Sequence, residues 1–102
     1  MTVITITKTD EKTTYKVDSK LHREDGPAIE YSNGRKEWYL NDKRHRVDGP
    51  SVEYPDGEKE WYLNGELHRE DGPAVERKTK SEYWLCGVQY PYEEYKTLIH
   101  EI

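Results

Sequence analysis

The sequence repeats itself every 23 residues, and this period constrains its fold more than any other feature. The stretch "KEWYLNGELHREDGPAVE", residues 59–76, repeats "KEWYLNDKRHRVDGPSVE", residues 36–53. Histidine, glycine and tryptophan keep the same spacing in three copies: His22, His45 and His68; Gly26, Gly49 and Gly72; Trp38, Trp61 and Trp84. Carried one unit back, the register places Tyr15 under Trp38, so the opening segment is a degenerate first copy. Such repetition is typical of arrays in which neighbouring units bury one another's apolar faces.

Each unit contains two strands joined by a tight turn. Asn-Gly at residues 33–34 and Asp-Gly at residues 56–57 lie between runs rich in aromatic and β-branched residues. Both dipeptides are typical of two-residue type I′ hairpin turns. A two-residue turn would place Ile29 opposite Trp38 on one face of the sheet.

This pairing predicts one apolar face and one polar face, as in an antiparallel sheet solvated on one side. The apolar face would carry Pro27, Ile29, Tyr31, Lys36, Trp38 and Leu40. On the polar face, Glu30 would oppose Glu37 and Glu53 would oppose Glu60, which forms an acidic stripe. The stripe would be flanked by tyrosines, and basic neighbours such as Arg35 could neutralise it.

The last repeat departs from the pattern. Its "VQYPYEEYKTLIHEI" segment has a proline followed by two acidic residues, which favours a helix start. Apolar residues follow at helical spacing: Tyr92, Tyr95, Leu98, Ile99 and Ile102. The segment predicts a short helix over residues 91–101 that caps the array, either on the last hairpin or over the open apolar face.

Together these features predict one all-β domain over residues 1–102. It would be a meander of about eight short antiparallel strands, built from 23-residue hairpin repeats, with a short C-terminal capping helix. The degenerate first hairpin would span residues 3–18. The complete hairpins would span residues 27–41, 50–64 and 73–88. The chain has 32 % hydrophobic and 12 % aromatic residues, so its core should be thin.

The order of residues within the repeat resembles a known family. The order "Y-P-D-G-x-x-x-W-Y-x-N-G-x-x-H" is similar to the MORN repeat, and the "HRxDGPA" and "WYxNG" motifs resemble a MORN-like variant found in tandem in proteins of tailed phages and giant viruses. The resemblance covers residues 15–90 well and residues 3–14 weakly. It implies an elongated sheet of successive hairpins and a role in protein binding or dimerisation. Because "HREDGP" stands where the family has a His-Gly-x-Gly run, lipid contacts of some members are not carried over.

Composition and motifs argue against several function classes. The net charge is -5 and the basic residues form no run, so we expect no nucleic-acid partner. No nucleophile motif or phosphate loop is present, which predicts a protein that is not an enzyme and has no cofactor. No segment has enough consecutive apolar residues to cross a membrane, and an acidic chain should not bind anionic lipid.

The single cysteine bears on location and on packing. Cys86 cannot form an intramolecular disulfide, which fits a reducing compartment, and "MTVITITKTD" lacks the features of a signal peptide. We therefore expect a cytoplasmic protein. Because Cys86 takes the repeat position of Leu40 and Leu63, it should be buried as a small hydrophobe.

The three "HRxDG" loops are a further candidate site. Equivalent residues of neighbouring loops would lie roughly 9.5 Å apart, whereas the ligands of one metal ion lie about 2 Å from its centre. We therefore predict no metal site. The loop arginines should pair with acids of the loops, and the histidines should bond to backbone and pack on the tryptophans. The Asp-Gly of the loop, in its fullest form Asp71-Gly72, is typical of a turn pair whose glycine can take positive φ.

We therefore predict a non-enzymatic protein-binding module, a phage accessory protein that binds and inhibits a host defence protein in the host cytoplasm. The predicted contact surface comprises the polar face and one loop: Glu30, Glu37, Tyr39, Glu53, Glu60 and Tyr62, with His45 and Arg46. The alternative is a self-associating scaffold. Its homodimer would form through the edge strand "TVITITKT", which has high β propensity and little charge.

Overall fold

The structure is a computed structural model that describes residues 1–101, and it confirms the all-β fold with one short C-terminal helix. Fourteen short strands lie within these residues: β1 Ile4–Lys8, β2 Lys12–Val17, β3 Lys20–Leu21, β4 Ile29–Tyr31, β5 Lys36–Glu37, β6 Tyr39–Leu40, β7 Lys43–Arg44, β8 Val52–Glu53, β9 Lys59–Glu60, β10 Tyr62–Leu63, β11 Glu66–Leu67, β12 Val75–Glu76, β13 Ser81–Leu85 and β14 Val88–Tyr90. The helix, α1, is Tyr92–Ile99.

Ten of these strands form a single antiparallel sheet. Its order is β1-β2-β4-β5-β8-β9-β12-β13-β14, and β3 pairs with β2 at one end. The pairs β6-β7 and β10-β11 form two small sheets of their own. The molecule measures 45 × 33 × 17 Å, so it is flat and elongated, as successive hairpins laid side by side require.

We call β4-β5, β8-β9 and β12-β13 the long hairpins. The first two close with a three-residue loop, so the predicted two-residue turn at residues 33–34 is wrong. The Tyr31 N–H donates to the Arg35 carbonyl at 2.9 Å, and the Gly34 N–H donates to the Tyr31 carbonyl at 3.0 Å. Gly34 has a φ of 99°, which is the geometry of a tight turn followed by a bulged glycine. The bonds recur in the second copy, at residues 54–58.

The extra loop residue shifts the strand pairing by one position. Ile29 lies opposite Glu37 instead of Trp38, and Glu30 lies opposite Lys36. Because side chains alternate along a strand, a one-residue shift moves them to the other face. The predicted apposition of Glu30 and Glu37 is therefore wrong, and the two carboxylates lie on opposite faces of the sheet.

The second hairpin has the same register, and it defines the two faces. Val52 lies opposite Glu60, so Glu53 and Glu60 also lie on opposite faces. We call the face that carries Trp38 and Trp61 the Trp-Arg face. The face that carries Glu37 and Glu60 is the Glu-Tyr face.

The core is a pair of consecutive small or aliphatic residues in each repeat. All six are buried: Ala28 and Ile29, Ser51 and Val52, Ala74 and Val75. Consecutive residues of a strand point to opposite faces, so the sheet is covered on both sides at these positions. The prediction of a sheet solvated on one side is therefore wrong at its centre.

Type I′ geometry occurs instead in four short hairpins, β2-β3, β6-β7, β10-β11 and β13-β14. Both turn residues have positive φ in four copies: Asp18-Ser19, Asn41-Asp42, Asn64-Gly65 and Cys86-Gly87. Each later turn also donates a backbone hydrogen bond to the preceding short hairpin, as Gly65 N–H does to the Arg44 carbonyl at 2.8 Å. Backbone hydrogen bonds thus link each short hairpin to the next one along the chain.

The third long hairpin has a shorter loop than the other two. Val75 lies opposite Glu82, and the Arg77 N–H donates to the Lys80 carbonyl at 2.8 Å, so only residues 78–79 form the loop. One residue is therefore missing relative to the earlier repeats. From this point, each structural position is taken by the residue one place earlier in the chain than the 23-residue period predicts.

This slip changes which residues are equivalent. Tyr83, and not Trp84, takes the place of Trp61, so the three tryptophans share one position of the sequence period but not one position of the structure. Cys86 takes the place of Asn64 in its turn, with a φ of 48°, and is exposed. The predicted burial of Cys86 is therefore also wrong.

The helix packs on the last hairpin, against β13. It begins at Tyr92, with Pro91 in extended conformation just before it, and the side chain of Tyr95 is 1 % exposed. Ile102, which was predicted to continue its apolar side, lies outside the described residues. No helix in residues 1–101 is both long enough and apolar enough to cross a membrane.

Candidate functional site

The arginine of each "HRxDGP" loop is held in the same way on the Trp-Arg face. The Arg46 guanidinium lies over the Trp38 ring, with 3.9 Å between Cζ and the ring centroid. It donates to Asp48 at 3.1 Å, to the Pro50 carbonyl at 3.0 Å and to Glu53 at 3.0 Å. The other two copies stack Arg23 over Tyr15 at 4.0 Å and Arg69 over Trp61 at 3.8 Å. The predicted pairing of loop arginines with acids is confirmed.

The loop glycine lies on the other side of the guanidinium. A Cβ atom at Gly49 would lie 2.8 Å from the Arg46 Cζ, and the equivalent contacts in the other copies are 3.0 Å and 2.9 Å. Gly49 does not have positive φ, so the predicted turn role is wrong. The loop requires glycine because the guanidinium fits tightly between an aromatic ring and a bare backbone.

Each loop histidine bonds to the backbone of the next repeat. The Nδ1 atoms of His22, His45 and His68 accept the N–H of Asn41, Asn64 and Cys86, at 3.0, 2.9 and 2.8 Å respectively. The prediction of backbone bonding is confirmed, but arginine takes the expected place of histidine on the aromatic rings. Within residues 1–101 no group of three or more metal-ligating side chains lies close enough to hold an ion.

The first carboxylate of the Glu-Tyr face is Glu37, whose residue surface is 2 % exposed. Its carboxylate lies 2.7 Å from an Arg35 nitrogen and 3.4 Å from an Arg44 nitrogen. The Tyr39 hydroxyl donates to it at 2.9 Å. A buried carboxylate needs such partners, because an isolated charge in the interior is costly.

The second carboxylate of this face, Glu60, continues the same network. It accepts hydrogen bonds from the hydroxyls of Tyr54 and Tyr62, each at 3.1 Å. Arg44 donates to the Tyr62 hydroxyl at 3.4 Å and so connects Glu60 with Glu37. Both carboxylates therefore hold neighbouring repeats together, and neither is accessible to a partner in this structure.

The protonation of this network is set by burial and by charge. Burial raises the pKa of Tyr39 and Tyr62, and the adjacent carboxylates raise the pKa of both further. For Arg44, burial acts to lower the pKa, but the neighbouring Tyr39 and Glu37 raise it overall. The tyrosines therefore remain neutral donors, and the guanidinium remains charged.

The eight residues predicted for a protein contact do not share one surface. Glu37 and Glu60 are buried, and Tyr39 and Tyr62 bond to them on the Glu-Tyr face. Glu30 and Glu53 are on the opposite face, where each is paired with a loop arginine. His45 and Arg46 lie at the edge of an open groove.

Two open grooves separate the successive "HRxDGP" loops. Groove 1, of about 740 Å³, lies between the first and second loops, and Trp38 and Leu40 line it. Groove 2, of about 610 Å³, lies between the second and third loops, and Trp61 and Leu63 line it. Val47 contributes to both grooves and is 84 % exposed.

Sequence reasoning missed these grooves and Val47. The repeat alignment contained one usable signal, because Val47 stands where the other two loops have Glu24 and Glu70. An aliphatic residue in place of a loop carboxylate indicates an apolar contact. The pairing predicted from the sequence places the tryptophans on a shared apolar face and not in grooves between loops.

No protein-family model, curated protein sequence or solved structure matches the chain.

Proposed function

We propose that this chain is a non-enzymatic protein-binding repeat module whose contact surface consists of grooves 1 and 2. The observation that carries the proposal is that Val47, 84 % exposed, lines both grooves, beside Trp38 in groove 1 and beside Trp61 in groove 2. We call these three residues the apolar strip. An apolar and aromatic centre with a charged rim is the usual composition of a protein interface.

The charge of the rim indicates what the partner carries. The carboxylates of Asp25, Asp48 and Asp71 are almost fully exposed, and each is also bonded to its loop arginine. With a net charge of -5 the chain presents a mainly acidic rim. A partner with an apolar centre and basic residues around it would complement this surface.

The surface is held rigid before a partner binds. The arginine of each loop is fixed by three hydrogen bonds and by stacking, and the histidine ties the loop to the following repeat. Binding therefore requires little ordering of the loops, and preorganisation of this kind increases affinity.

The MORN-like resemblance supports the biological part of the proposal. It favours a small phage accessory protein that binds and inhibits a host defence protein in the host cytoplasm. The proposed module acts without cofactor and without catalysis. Its partner is a protein, and neither nucleic acid nor a membrane is involved.

The test is affinity capture from host lysate with a matched pair of variants. We expect Val47→Asp to lose the specific protein that the wild type captures, because it places a charge at the centre of the apolar strip. Thr79→Asp introduces the same charge at an exposed loop residue that lines neither groove, and this variant should still capture the protein. Equal capture by both variants would contradict the proposed surface.

A second candidate function, self-association, is favoured by the first strand. All five residues of β1 are exposed, and Ile4 and Ile6 are 69 % and 61 % exposed on an edge strand that pairs only with β2. Exposed apolar edge strands tend to pair with a second copy. Light scattering after size exclusion should then show a dimer that Ile6→Lys abolishes, whereas a monomer at all concentrations would remove this candidate.

A further inference from the structure

The C-terminal helix places a tyrosine against the third "HRxDGP" loop. The Tyr95 hydroxyl lies 2.5 Å from the Arg69 carbonyl oxygen and 2.9 Å from the Gly72 carbonyl oxygen, and it accepts the Gly72 N–H at 3.2 Å. Its ring packs on Tyr83 with 4.8 Å between centroids. A phenol thus accepts the hydrogen bond of the loop N–H and donates its one proton to the loop carbonyls that face it, because a hydroxyl is both a donor and an acceptor.

Tyr95 lies at the third loop, in the position that corresponds to groove 1 at the first loop and to groove 2 at the second. After the one-residue slip, Tyr83 is equivalent to Trp38 and Trp61, and Leu85 is the residue before the turn, as Leu40 and Leu63 are. The same loop backbone, the same aromatic position and the same leucine therefore recur three times. Trp38 and Trp61 also carry the stacked guanidinium of the following loop, whereas Tyr83 packs on Tyr92 and Tyr95. The helix fills only the last of the three.

The backbone groups that Tyr95 satisfies have no protein partner in the other two loops. Within residues 1–101, the Gly26 and Gly49 N–H groups make no hydrogen bond, and neither do the carbonyls of Gly26, Gly49, Arg23 and Arg46. Gly26 lies in groove 1 and Gly49 in groove 2. Each groove therefore offers a free donor and two free acceptors beside a tryptophan that also carries the stacked arginine of the next loop.

We infer that grooves 1 and 2 each bind a tyrosine side chain of the protein partner, in the manner of Tyr95. The inference rests on the proposed function, because it names the partner chemistry at the same surface. Phenylalanine would leave the donor and acceptors unmet, and a carboxylate would face two carbonyl oxygens and an acidic rim.

A second copy of this chain does not supply these tyrosines. Tyr92 is the only tyrosine of the described residues that is exposed, and its ring packs on Tyr83 with 5.0 Å between centroids. The other tyrosines are buried or half-buried in the array. The occupant is therefore a different protein.

The spacing of the grooves restricts the partner further. Equivalent loops lie two strands apart, about 9.5 Å. Residues seven apart on one side of a helix are separated by about 10.5 Å. A partner helix with two tyrosines at positions i and i+7 would therefore reach both grooves, and Tyr95 itself is presented by a helix.

The test is nuclear magnetic resonance of the ¹⁵N-labelled full chain, titrated with N-acetyl-tyrosinamide. We expect saturable shifts of the Gly26 and Gly49 amide signals, and no shift at Gly72, whose N–H is already bonded to Tyr95. N-acetyl-phenylalaninamide is the matched control and should bind about fivefold more weakly, since it cannot make the hydroxyl bonds.

Absence of saturable shifts at both glycines, or equal binding of the two probes, would overturn the inference. A dimer that the tyrosine probe dissociates would also overturn it, because a second copy would then be the occupant. The two proposals can fail separately. If partner capture depends on Val47 but the grooves show no preference for tyrosine, the proposed function stands and the tyrosine inference fails. If the grooves bind tyrosine but no protein is captured, the inference about the grooves stands and the proposed function fails.

Discussion

At the residue scale, one arginine explains most of the "RxDGPxxE" motif. The aspartate, the proline carbonyl and the glutamate are each bonded to the guanidinium, and the glycine leaves space for it. The pairing of arginine with acids could be predicted because unlike charges recur at fixed spacing. The need for glycine could not be predicted, because sequence alone does not distinguish a glycine required for positive φ from one required for space.

Gly49→Ala should destabilise the protein by about 1–3 kcal/mol, as overpacking usually does. The new Cβ would meet the Arg46 Cζ at 2.8 Å, and stacking and hydrogen bonds prevent the guanidinium from moving away. Urea unfolding followed by circular dichroism measures the loss.

The control is a double-mutant cycle with Arg46→Ala, which removes the atoms that clash. In that background Gly49→Ala should cost little, and a coupling energy near zero would show that the glycine is needed for another reason.

At the element scale, the turns determine which face each side chain occupies. Asn-Gly at residues 33–34 fits both a two-residue type I′ turn and a three-residue loop that ends in a bulged glycine. The dipeptide therefore predicts a hairpin without deciding its register. The existence and order of the hairpins and the capping helix could be predicted, whereas the burial of Glu37 could not, because one residue of register decides it.

The shorter third loop has a direct chemical consequence at Cys86. Its thiol should react with a maleimide dye in the folded protein at a rate close to that in the unfolded protein, because the residue is exposed at a turn. Stopped-flow fluorescence with and without denaturant compares the two rates. Strong protection in the folded state would instead indicate that Cys86 occupies the position equivalent to Leu63 and is not exposed at the turn.

Docking of the helix depends on one hydroxyl. Tyr95→Phe keeps the ring but leaves the Gly72 N–H and two carbonyls without a partner, so it should cost about 1–3 kcal/mol. Thermal and urea unfolding measure the change.

Tyr92→Phe provides the matched control on the same helix. Tyr92 is 50 % exposed and packs on Tyr83 through its ring, so loss of its hydroxyl should change stability by less than about 0.5 kcal/mol. Equal losses for the two variants would mean that the Tyr95 hydroxyl does not hold the helix.

At the scale of the whole molecule, a thin core lies between two layers of polar aromatic contacts. One layer stacks arginine on tryptophan, and the other buries Glu37 and Glu60 among tyrosines and arginines. The chain can therefore fold with few aliphatic residues. The thin core could be predicted from composition. The covering of both faces could not, because it depends on long side chains whose direction is set by the register of strand pairing.

The buried tyrosines make the whole fold sensitive to alkali. Burial raises the pKa of Tyr39, Tyr54, Tyr62 and Tyr95, so their contribution to stability is complete below about pH 10, the ordinary value, and is lost as the pH rises above it. Circular dichroism should show unfolding that coincides with a late tyrosinate absorbance step. Ionisation of all nine tyrosines near pH 10 with the fold intact would contradict this expectation.

The two-residue loop at positions 78–79 also determines how the array could grow. It brings Tyr83 to the position that the helix covers, so the terminus is built by the last hairpin and α1 together. An additional 23-residue copy inserted upstream of this hairpin would leave that terminus intact and would add a groove about 9.5 Å from its neighbour. Duplication of a repeat in the middle of the chain could therefore change the number of partner side chains that the protein binds, while both ends of the protein stay the same.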